Sequence, residues 1–289
     1  MNLNTPRVCS LPSYPGVDGR GPVVLTYLED QCVLAACGSF ADSDQSCYQL
    51  SPDQSSGWQP LGEGQLINHH CPSPESTRNH FLRETGWFLV GQEDGRCRND
   101  SAAMSTELLT PELQWVQLPI TSPFNSIAGY PAFTCSVAID SNTIIVTGGY
   151  NGIGVLPYTL KLDLTDYTWT QLKDIPTPRY GHGCTTTATG ELIIAGGYDG
   201  TYIQPSVYIY NLMSNTWSRA SFDLPAGWAS YNYPVMFLWN KQPIIVEWYS
   251  SNIWRLDGST WKKMVTTMGD YFDGLLDTST TVPSGIFSC

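Results

Sequence analysis

The residues that could carry chemistry are few, and their spacing suits little of it. Four histidines are present, His69, His70, His80 and His182. The run HHC at 69–71, with His80 behind it, offers zinc-type ligands, yet its spacing matches no finger or protease pattern and the stretch is polar. No metal and no cofactor are therefore expected. The chain contains no G-x-S-x-G, no P-loop and no G-x-G-x-x-G, so it offers neither an activated serine nor a phosphate cradle. The polar residues of YNG, YDG and DLTD read as turn formers, because short polar side chains fold back onto their own backbone. What remains is aromatic. Tyr150, Tyr198, Tyr202, Trp248 and Tyr249 stand in short loops, and Arg179, Tyr180 and Trp228 in longer links. Tyrosine and tryptophan supply large, stiff, amphipathic contact area, which is the chemistry of recognition rather than of bond making.

The elements that must position these residues repeat. ELIIAGGYDG (191–200) is preceded by NTIIVTGGYNG (142–152), and Gly148 and Gly196 each stand 21 residues before a tryptophan, Trp169 and Trp217. Between each marker and its tryptophan lies a β-rich run, YTLKLDL (158–164) or VYIYNL (207–212). Weaker copies run through VLAACGSF to GWQPL, through WFLVGQEDG to QWVQL, and through PIIVEWYSS to TWKKM. Trp58, Trp115, Trp169, Trp217 and Trp261 thus take one structural position, on the outermost strand of each unit. A further apolar run precedes each marker, so every unit holds four short strands. Such units, repeated at about 45 to 50 residues, build propeller blades. The glycine pairs let the backbone pass close to its neighbours or take positive φ.

Composition limits the partners. The chain of 289 residues has 14 Lys and Arg against 26 Asp and Glu, a net charge of −12. A nucleic-acid binder needs a positive face, and so does a protein drawn to anionic lipid, so neither class is expected. No apolar run is long enough for a transmembrane helix. Met1–Pro15 lacks the basic start and apolar run of a secretory signal, although a mature or trimmed chain would read the same way. Nine cysteines suit an oxidising compartment, and the odd count leaves at least one free or paired outside the chain.

The segment TGGY…YTLKLDL…TWTQLKDIPTPRYGHG (147–183) resembles the Kelch repeat in its double glycine, its Tyr–Trp spacing and its arginine-bearing link. The resemblance covers about residues 20–265 and implies an all-β, Kelch-type β-propeller occupying 1–289 as a single domain. Its units are expected near 20–62, 78–118, 131–172, 180–220 and 231–264. RVCSLP (7–12) resembles an outer strand, and 268–289 begins like inner strands. Residues 268–289 plus 1–12 are therefore expected to form a sixth four-stranded blade shared between the termini, with five blades as the alternative. Strand placement brings Cys37 near Cys47, and Cys135 and Cys184 fall at one innermost position of successive blades. The expected disulfides are Cys37–Cys47, Cys135–Cys184, Cys9–Cys289 and Cys71–Cys97, with Cys32 left over. This cysteine pattern is similar to that of extracellular Kelch-type proteins of animals.

In Kelch proteins that capture peptides, the tyrosine after the double glycine and the arginine of the link often touch the ligand, which places Tyr150, Tyr198 and Arg179 at such positions. The resemblance assigns His182 a structural place in the link. The expected function is a non-enzymatic protein-binding or adhesion module, extracellular or secreted, taking a protein, peptide or glycan ligand on one face. An intracellular, cytoplasmic adaptor is one alternative, and a carbohydrate-binding or carbohydrate-active propeller, with a carboxylate pair for hydrolysis, is another.

Overall fold

A computed structural model of the chain describes residues 23–28, 33–37, 47–53, 56–61, 80–83, 86–90, 106–109, 115–118, 133–140, 142–225, 234–239, 241–246, 252–264 and 274–276. All its regular elements are strands. The first blade holds β1 (Val23–Leu28), β2 (Val33–Cys37), β3 (Cys47–Leu50) and β4 (Gln59–Pro60). Blade two holds β5 (His80–Arg83), β6 (Gly86–Val90), β7 (Thr106–Leu109) and β8 (Trp115–Leu118). Blade three holds β9 (Cys135–Ala138), β10 (Thr143–Thr147), β11 (Thr159–Asp163) and β12 (Thr168–Gln171). Blade four holds β13 (Gly183–Thr186), β14 (Leu192–Ala195), β15 (Ser206–Asn211) and β16 (Thr216–Asp223). Blade five holds β17 (Val235–Trp239), β18 (Gln242–Val246), β19 (Ile253–Asp257) and β20 (Thr260–Lys263).

Within each blade the four strands pair antiparallel in chain order. The tryptophans mark equivalent sites: Trp169 faces Leu162 across the outer pair, Trp217 faces Tyr210, and Trp261 faces Leu256. First strands of successive blades stand side by side, from β1 to β5, β9, β13 and β17. A last strand, β21 (Gly274–Leu276), lies beside β17 and pairs with β1 in parallel, Val24 opposite Leu275. The described part of the closing segment thus covers the inner edge of blade one, where an open edge would otherwise invite foreign strands. The described residues form five sheets, four of four strands and the first of five with β21; of the sixth blade expected from 268–289 and 1–12 they include only 274–276, and Cys9 and Cys289 lie outside them.

Side chains alternate across each strand, so blade four buries one row against blade three and the other against blade five. Cys135, Val137 and Ile145 of blade three meet Cys184, Leu192, Ile194, Tyr208 and Tyr210 of blade four, with Trp217 at the margin. The opposite face of blade four, with Ile193, Ala195 and Val207, meets Met236, Ile245 and Trp261 of blade five. The Trp217 indole packs 4.9 Å from the Tyr210 ring and donates to the Lys173 carbonyl at 2.8 Å. The outer tryptophan therefore packs back onto the preceding blade.

A disulfide joins Cys135 to Cys184, with the Cα atoms 6.0 Å apart. The register corrects the reason for it. Cys135 lies opposite Thr147, whereas Cys184 lies opposite Ile194, the counterpart of Val146. The blade-four equivalent of Cys135 is thus Gly183, and the two cysteines are one residue out of step. Equivalent positions would point the same way around the ring; the single-residue offset turns one thiol forward and the other back, so that they meet. In blade one, β2 and β3 set Cys37 directly opposite Cys47. Cys71, Cys97 and Cys32 lie outside the described residues.

Candidate functional site

The loops between β10 and β11 and between β14 and β15 are built on one plan. Each opens on a glycine pair with positive φ, 63° and 112° at Gly148 and Gly149, 75° and 86° at Gly196 and Gly197. The cause is the link between blades three and four. A Cβ on Gly148 would lie 2.3 Å from the Arg179 carbonyl oxygen, and one on Gly197 would lie 2.7 Å from that of Tyr180. The Gly149 amide donates to the Arg179 carbonyl at 2.9 Å. Tyr180 and Tyr198 exchange backbone bonds of 3.0 and 2.9 Å. The link therefore lies over both glycine pairs, and any larger residue would push it off.

Beyond the glycines each loop is shaped by one polar side chain. Asn151 Oδ1 accepts from the amides of Ile153 (3.1 Å) and Gly154 (2.9 Å). Asp199 Oδ1 accepts from Thr201 and Tyr202, both at 2.7 Å, and Asp199 Oδ2 accepts from Gln204 Nε2 at 2.6 Å. Partial burial would raise the Asp199 pKa, but these donors and the Arg179 charge outweigh it and hold the carboxyl below the usual aspartate value. The two loops also touch: a Cβ on Gly200 would reach Val155 at 3.2 Å.

This scaffold gathers four aromatic rings. Tyr180 stands at the centre, its ring centroid 5.5 Å from Phe133, 5.4 Å from Tyr150 and 5.5 Å from Tyr198. All four residues are half-buried. Ile153 and Tyr202 project from the two loop tips, 77% and 70% exposed. Tyr150, Tyr180 and Tyr198 are thus brought into one cluster of rings, and Tyr202 stands exposed at the tip of the second loop. Phe133 and Ile153 belong with them and escaped sequence reasoning. Phe133 falls one repeat before Gly181 and shares its left-handed backbone, φ 59° against 63°, and Ile153 is an apolar residue enclosed by two glycines.

Arg179 does not belong to the face. It is 0% exposed, and its guanidinium donates to the carbonyls of Thr177 (3.2 Å), Gly196 (2.9 Å) and Ser206 (3.0 Å) and to Ser206 Oγ (2.9 Å). It stacks 5.1 Å from the Tyr208 ring centroid. Burial lowers its pKa to about 10, against the opposing pull of Tyr208 and Asp199, so it stays charged at neutral pH. A cation enclosed in this way ties the link to blade four and is shut off from the solvent side, where a ligand would arrive. His182 is likewise 0% exposed, with Nε2 2.8 Å from Thr147 Oγ1, which donates in turn to the Cys135 carbonyl. Trp228, Trp248 and Tyr249 lie outside the described residues, as do His69 and His70.

No group of three or more His, Cys, Asp or Glu side chains among the described residues is placed to hold a metal. No helix among them is long and apolar enough to cross a membrane. The arrangement is a rigid aromatic platform with one carboxylate at its side and a buried cation beneath.

The Kelch motif matches residues 178–221, the link and blade four. The Kelch domain-containing protein 10 of Xenopus tropicalis is 36% identical over 127 residues, which is 43% of this chain and 30% of that protein. Its counterpart in Xenopus laevis is 35% identical over the same length and shares. The matched stretch spans under a third of either relative.

Proposed function

We propose that this chain, in which the Kelch motif matches residues 178–221, is a non-enzymatic protein-binding module whose contact surface is the aromatic face around Tyr180. The observation that carries this reading is the clustering of Phe133, Tyr150, Tyr180 and Tyr198 on loops from two blades, with Ile153 and Tyr202 standing exposed beside them. Stiff aromatics held by backbone bonds lose little freedom on binding, which favours affinity. A photo-crosslinking residue at position 153, against one at the exposed outer turn residue Met213, tests the face. A partner trapped from position 153 alone, and lost when Tyr198→Ala is added, supports it. Equal trapping from both positions, or indifference to Tyr150→Ala and Tyr198→Ala, sinks it.

The disulfide between Cys135 and Cys184 favours an extracellular setting for that partner. Protein alkylated as it is isolated and then weighed intact decides the matter. One modified thiol before reduction and nine after it support secretion; nine modified without reduction place the module in a reducing compartment.

A further inference from the structure

The charges around the aromatic face point to the kind of segment it takes. The two loops, 149–156 and 197–204, contain Asp199 and no other charged residue. The link residue Arg179 is charged but buried beneath the face and bound to four acceptors. A cation arriving from solvent therefore meets no exposed positive group on these segments. It meets tyrosine rings, whose faces carry partial negative charge, and a carboxylate held in place by two backbone amides and Gln204. At longer range the excess of 26 acidic over 14 basic residues draws a basic partner and repels an acidic one. Ile153 and Tyr202, the exposed apolar tips, suit the aliphatic stem of a lysine or arginine, which packs along apolar surface while its head seeks charge.

On the strength of the face assignment above, we propose that the partner segment is basic: a short, exposed Lys- or Arg-bearing stretch of another protein whose cation lies over the tyrosine rings beside Asp199. The loop itself supplies a clean way to remove the charge. Asn151 shapes the preceding loop through the same side-chain oxygen, so Asp199→Asn keeps the two backbone bonds to Oδ1 and loses the charge together with the acceptor for Gln204 Nε2.

A random linear peptide library displayed on phage, panned against the full chain, tests the proposal. Enriched peptides should carry Lys or Arg, and a synthesised one should bind less tightly as salt rises. Asp199→Asn should weaken it by about threefold, and Tyr202→Ala by about tenfold. Enriched peptides that are neutral or acidic, yet still lost on Tyr198→Ala, overturn the basic segment and leave the face intact. Basic peptides indifferent to all three substitutions overturn both. A library that yields no enrichment overturns the basic segment.

Discussion

Blades three and four are copies offset by 48 residues, and the places where they differ are those where the chain ties itself together. In blade four the outer turn carries Asn215, left-handed at φ 51°, and its side-chain oxygen accepts from the Tyr210 hydroxyl and the Lys173 amide, both at 2.8 Å. At the matching positions blade three has Tyr167, φ 59°, and Leu162, packed in an apolar cluster. One pair has changed together, from polar latch to apolar contact. Blade four also holds the thiol that reaches back to blade three, the tryptophan that bonds to the link, and the acceptors that enclose the link's arginine. Equal backbones can thus carry unequal junctions, because the side-chain rows facing a neighbour are free to vary once the strand register is fixed.

The largest effect is expected at Arg179. Arg179→Met should destabilise the protein by about 3 kcal/mol or more in urea unfolding, because four acceptors, three of them buried, lose their donor. A loss below about 1 kcal/mol would show that water replaces the guanidinium. Next comes the covalent tie. Replacing Cys135 and Cys184 together by alanine frees a loop of sequence separation 49 and should cost about 3 to 4 kcal/mol. An unchanged urea midpoint would mean that the noncovalent interface alone holds the blades.

The glycines sharpen the point. Gly148→Ala meets the Arg179 carbonyl and should cost about 2 to 3 kcal/mol, whereas Gly152→Ala, with φ 83° but open space around it, should cost about 1 kcal/mol. Equal losses would show that backbone conformation alone, and not the link above, requires the glycine pair. Asn215→Gly frees the backbone but removes two hydrogen bonds, and a net loss of about 1 kcal/mol is expected.

The smallest effect is at Asp199. Its pKa is lowered in the folded chain, so its contribution is present above the ordinary aspartate pKa and is lost as pH falls through the lowered value. Asp199→Asn should lower stability slightly at neutral pH, where that contribution is present, and flatten the acid side of the profile. A marked loss at neutral pH would show that the two loops are not interchangeable.

The four-strand order of each blade was legible because the repeats of blades three and four state it outright, and Trp58, Trp115 and Trp261 extend the pattern to weaker copies. Tyr150 and Tyr198 were legible for the same reason, as each follows a glycine pair, whereas Tyr180 comes from the link and Tyr202 from a loop tip. Arg179 was misplaced because one residue type serves both as a ligand contact and as a buried tie, and only the surrounding acceptors tell them apart. Phe133 was missed because its conformation belongs to a glycine position while its side chain reads as strand.

The sequence by itself determined the all-β architecture, the antiparallel order of each blade and the glycine positions, since alternation, turn chemistry and repeat spacing are local properties written along the chain. The tertiary structure decided what depends on neighbours distant in sequence. It set the one-residue offset that lets Cys135 meet Cys184, the parallel seat of β21 on β1, the enclosure of Arg179 and the gathering of four rings around Tyr180. Those outcomes turn on the direction in which each side chain leaves its strand and on what the next blade places opposite it, and a linear pattern records neither.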